Sequence, residues 1–71
     1  KVTGLGNETV TLLDTGTIKS NQEYSCVIAL QGSCNLNGKD INEMEYADLK
    51  KSKEYDIIVR DNSSIAIFEL L

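Results

Sequence analysis

The clearest alternation in the chain runs from Tyr24 to Leu30. Tyr24, Cys26, Ile28 and Leu30 recur at every second position and are all apolar, while Ser25, Val27 and Ala29 make the other side only partly so. Period-two patterning of this kind predicts a strand. With apolar residues on both sides, it reads as a central strand packed on both faces. A second pattern spans Tyr55 to Leu71. A tight turn at Asn62-Ser63 pairs Val59 with Ala66, Ile57 with Phe68 and Tyr55 with Leu70, all on one apolar face. The opposite face of that hairpin carries Ile58, Ile65 and Ile67, together with an unfavourable like-charge pair, Asp56 and Glu69. Tyr24, Tyr55 and Phe68 are accordingly expected in the core, and Tyr46 is expected to be exposed.

Shorter signals fill the intervals. Glu8 to Asp14, with Thr9, Val10 and Thr11, favours extended backbone because β-branched side chains suit a pleated surface. Asp14 to Glu23 is either one long loop or a short strand at Thr17 to Lys19 between turns. Asn37-Gly38 is a strong hairpin signal, since both central residues of a type I′ turn need positive φ. Two-residue closure pairs Leu36 with Lys39, Asn35 with Asp40 and Cys34 with Ile41. Asn42 with Glu45 three residues later resembles a capping box and predicts a short helix near 42–52, with Lys50 and Lys51 at its favourable C-terminal end. The competing assignment continues the strand from Lys39 through Tyr46.

The expected fold is therefore mainly β, with α+β possible. It is a small antiparallel barrel or roll of five to six strands, OB-like or SH3-like, with one short helix. At 71 residues the chain is one small domain, with 1–7 as a loose lead-in.

Composition narrows the function classes. The chain has no His, which removes the commonest general base near neutral pH and the usual partner of Ser or Cys nucleophiles. It is read as non-enzymatic, with no cofactor or metal. Two cysteines, Cys26 and Cys34, are too few for a disulfide framework or a four-ligand metal site. They are expected as reduced, buried thiols. Gly4-Leu5-Gly6 lacks the strand–helix context of a phosphate cradle.

The charge balance is acidic, with 7 Lys+Arg against 11 Asp+Glu and a net charge of −4. Phosphate contacts need the opposite sign. Nucleic acid is thus not expected as a partner, and no apolar run approaches a membrane span. Localisation is left open, with a soluble cytoplasmic chain slightly favoured.

What remains is a protein-interaction or assembly module acting on a protein partner or on itself. Its small size and Asn-, Lys- and Ile-leaning composition would suit a phage or viral accessory protein. Two surfaces are candidates for partner binding: the apolar set Ile58, Ile65 and Ile67, and an acidic stripe containing Glu43, Glu45 and Asp48. The stripe supports an alternative function, an acidic inhibitor that mimics nucleic acid and blocks a basic protein groove. An OB-type oligonucleotide or glycan binder is the third possibility.

Overall fold

The computed structural model describes residues 7–71. The glycine pair of the lead-in lies outside them. The described chain is all β: β1 (Glu8–Leu12), β2 (Gly16–Lys19), β3 (Tyr24–Gln31), β4 (Cys34–Leu36), β5 (Lys39–Ile41), β6 (Tyr46–Asp48), β7 (Glu54–Val59) and β8 (Ser64–Leu70). These form two antiparallel four-stranded sheets, ordered β1-β8-β3-β6 and β2-β7-β4-β5. The sheets are not closed into a barrel. They share one core: Val27, Ala29, Ile65 and Ile67 from the first sheet meet Cys34, Leu36, Ile41, Tyr55 and Ile57 from the second, joined by Leu49, which follows β6.

Several local expectations hold. The β4–β5 hairpin has the predicted register, Cys34 with Ile41, Asn35 with Asp40 and Leu36 with Lys39. Its turn residues Asn37 and Gly38 take φ of 49° and 88°, as a type I′ turn requires. Asn37 also braces the neighbouring strand, its amide donating to the Asp56 carbonyl and its side-chain oxygen accepting from the Asp56 amide. The segment after Asp14 contains the short strand β2. β3 runs as expected and is interior to its sheet.

No helix forms in 42–52. The side chain of Glu45 does accept from the Asn42 amide at 2.8 Å, as a capping box would. The chain, however, turns at Glu43 and Met44, the latter with φ of 66°. From there it enters β6, which lies against β3. One reciprocal cap fixes a single turn; the backbone beyond it finds ladder partners on Val27 and its neighbours instead.

The terminal hairpin is also absent. β7 pairs with β2 and β4, whereas β8 pairs with β1 and β3. A strand has two hydrogen-bonding edges, and both edges of both strands are taken by other partners. The turn at Asp61-Asn62 is thus an arch between sheets, not a hairpin loop. The arrangement relieves the like-charge pair: Asp56 faces Thr17, and Glu69 lies between Thr9 and Ser25.

Candidate functional site

Directly opposed residues in a ladder share a face, so the registers of the first sheet define both of its surfaces. One surface holds Glu8, Leu70 and Tyr24 in one row, Val10, Phe68, Cys26 and Asp48 in another, and Leu12, Ala66, Ile28 and Tyr46 in a third. The alternate rows hold Ser25 with Glu69, Val27 with Ile67 and Ala47, and Ala29 with Ile65. The second set is the inward one, since Val27, Ala29, Ile65 and Ile67 are core.

The first sheet is therefore inverted relative to expectation. β8 sends Ile65 and Ile67 inward and Phe68 and Leu70 outward, and on β3 the larger apolar residues Tyr24 and Ile28 face away from the core. Leu12, Tyr24 and Tyr46 are 69%, 68% and 65% exposed, and Val10, Cys26, Ile28 and Phe68 are only half-buried. Ala66, flanked in its row by Leu12 and Ile28, is fully covered yet stands apart from the core cluster. The interior explains the inversion. The second sheet and Ile65 and Ile67 already fill the close-packed space with large side chains, leaving room on β3 for small ones.

The apolar set Ile58, Ile65 and Ile67 does not form a surface. Ile65 and Ile67 are buried at 1% and 5% exposure, whereas Ile58 is exposed on the other sheet. They part because β7 and β8 belong to different sheets. Of the expected core aromatics, Tyr55 is buried and its phenol oxygen accepts from the Lys50 amide at 2.8 Å; Tyr24 is outside. Tyr46 is exposed as expected.

The acidic residues are not gathered into a stripe either. Glu43 accepts from the Gly32 amide at 3.0 Å, and Glu45 holds the Asn42 turn. Asp40 is bound to Arg60 at 2.7 Å, and that guanidinium, helped by Asn35, keeps its carboxyl below the usual carboxylate range. Glu54 and Asp56 lie on the second sheet, while Asp48 lies on the outward face of the first, opposite Cys26. Among the described residues, no group of three or more Asp, Glu or Cys is placed to hold a metal ion. No helix there is long and apolar enough to cross a membrane.

One end of the outward face sinks into a groove of about 440 Å³ lined by Glu8, Glu23, Tyr24, Ser25, Cys26, Asp48, Leu49, Phe68, Glu69 and Leu70. Tyr24, Cys26, Phe68 and Leu70 reach it from the outward rows. Ser25 belongs to an inward row, and its buried hydroxyl makes no hydrogen bond. Glu69 accepts from the buried Ser20 hydroxyl at 2.8 Å, tying the groove wall to the β2–β3 connection. Nothing in the sequence pattern marked this groove, because both sides of β3 and β8 are apolar and periodicity alone does not say which side meets the core.

Both cysteines are free, one in each sheet. Burial pushes both thiols up, assisted by Asp48 at Cys26. A raised thiol pKa means that the fold favours the neutral form. The resulting stability is complete below the ordinary value of 9.0 and is lost as pH rises through the raised one. Cys34 is fully buried and Cys26 is not. A disulfide reagent such as DTNB is therefore expected to modify Cys26 alone in the native protein and Cys34 only after denaturation. Equal native rates for both thiols would contradict this burial.

Comparison of the chain with models of known protein families, with curated proteins and with solved structures returns no match.

Proposed function

We propose that this chain is a non-enzymatic protein-interaction module that docks through the outward face of the β1-β8-β3-β6 sheet. One observation carries this reading. β3 turns Ser25, Val27 and Ala29 inward and Tyr24, Cys26 and Ile28 outward, and beside them the outward rows add Val10, Leu12, Phe68, Leu70 and Tyr46, so a mostly apolar face lies on the side away from the core. Exposed single apolar side chains are ordinary, but a contiguous face of them marks an interaction surface. Leu12, Ile28 and Tyr46 share one row, and Val10, Cys26 and Phe68 fill the next.

The test compares variants on the two sheets. Immobilised wild-type domain and Ile58→Glu, altered on the second sheet, are expected to retain the same partner, or further copies of the chain. Leu12→Glu and Tyr46→Glu are expected to lose it while keeping the same unfolding midpoint. Retention of the partner by all four proteins would sink the proposal. The acidic-mimic function draws less on the residues expected to form its stripe: Asp40, Glu43 and Glu45 are engaged within the fold, and Asp48 lies on the other sheet from Glu54 and Asp56.

A further inference from the structure

The groove at the end of the outward face is lined by both apolar and acidic side chains. Tyr24, Cys26, Phe68 and Leu70 supply the apolar part; of the carboxylates, Glu23 and Asp48 are exposed at its rim, while Glu8 and Glu69 are half-buried and Glu69 accepts from Ser20. Among the described residues, no Lys or Arg lines it. Of the described basic residues, Lys19 and Lys39 are on the second sheet, Lys50, Lys51 and Lys53 are in and beside the turn before β7, and Arg60 is engaged with Asp40. Asp48 is paired with Cys26 across the ladder, which sets its carboxylate beside the apolar lining of the groove.

From this charge complementarity we infer that the groove receives a segment of a partner protein in which apolar side chains alternate with Lys or Arg. The inference rests on the docking face proposed above and names its occupant. The apolar side chains would seat against Tyr24, Phe68 and Leu70, while the cations would meet Glu23 and Asp48 at the rim. Opposite charges at such a rim speed encounter and select partners by sign. Aromatic rings beside the carboxylates add a further attraction for Arg. A second copy of the chain is disfavoured as occupant: with a net charge of −4, face-to-face pairing would set two acidic rims against each other.

The experiment uses two short synthetic peptides of equal length, one alternating Arg with Leu and the other Glu with Leu. They are titrated into isotopically labelled protein while backbone amide shifts are followed by NMR, with alkylation of Cys26 as a second readout. The Arg–Leu peptide is expected to shift the amides of Cys26, Phe68 and Leu70, to protect Cys26 from alkylation, and to weaken as salt is raised. The double variant Glu23→Gln/Asp48→Asn, at two exposed positions, is expected to bind it about 2- to 30-fold more weakly, the scale of two lost surface ion pairs. Equal binding of both peptides at these amides would keep the docking face and overturn the basic occupant. Shifts confined to other parts of the molecule, or affinity unchanged in the double variant, would overturn the groove assignment. Concentration-dependent shifts at these amides with no peptide present would assign the groove to a second copy.

Discussion

Ile65→Ala is expected to lower the unfolding free energy by about 2–5 kcal/mol, the range for truncating a buried Ile and leaving a partly collapsed cavity. Ile65 is 1% exposed and sits in the inward row opposite Ala29. A domain of this size draws roughly 3–5 kcal/mol from a single core, so the variant should be largely unfolded at room temperature. Ile65→Val, losing about 0.5–1.5 kcal/mol, keeps the measurement within reach of urea titration. The paired control is Leu70→Ala in the same strand. Leu70 lies in an outward row and is nearly half exposed, so its truncation should change stability by less than about 1 kcal/mol. Were the terminal segment a hairpin with Ala66, Phe68 and Leu70 inward, the two results would be exchanged. The pair of variants therefore measures directly which way β8 faces.

Gly32→Ala is expected to be comparably severe, for a different reason. Gly32 follows β3 with φ of +74°, and a Cβ there would lie 2.1 Å from Ser63 Oγ and 2.9 Å from Ser63 Cα. The serine has little room to yield, because the Cα is backbone and the hydroxyl accepts from the Ser33 amide at 3.0 Å. Left-handed backbone costs about 1–2 kcal/mol for a residue with a Cβ, and overpacking adds about 1–3 kcal/mol. The expected loss is thus roughly 2–5 kcal/mol. Gly38→Ala isolates the first contribution: its φ is +88°, with nothing within 4 Å of the added Cβ. It should lose only about 1–2 kcal/mol. Equal losses at the two positions, read from urea midpoints, would show that the arch of residues 60–63 does not press against Gly32.

That arch is where the sequence pattern and the fold part company. Val59 and Ala66, Ile57 and Phe68, and Tyr55 and Leu70 match well as apolar pairs, and a turn signal lies between them. The one warning was electrostatic, the opposed Asp56 and Glu69, and it pointed the right way. Similarly, Tyr24, Cys26, Ile28 and Leu30 form the greasier side of β3, and greasiness alone would send them inside. The Asn42–Glu45 cap is real but serves a turn. The outward face of the first sheet is hidden for the same reason as the groove: in the alternation Tyr24 and Phe68 read as core residues.

The chain by itself determined its extended character, the positions of most strands and the whole of the β4–β5 hairpin. It also ruled out chemistry that depends on His. These properties are local, set by β-branched residues, by glycine and asparagine at positive φ, and by composition. Only the tertiary structure decided the partners. β4 with β5 is the sole pairing between consecutive strands among the described residues; β1 with β8, β3 with β8, β3 with β6, β2 with β7 and β4 with β7 all join distant segments. Strand pairing is selected by which edges remain open, and the inward face by which side chains fill the shared interior. Both are properties of two sheets together, so neither is written in the alternation of any one strand.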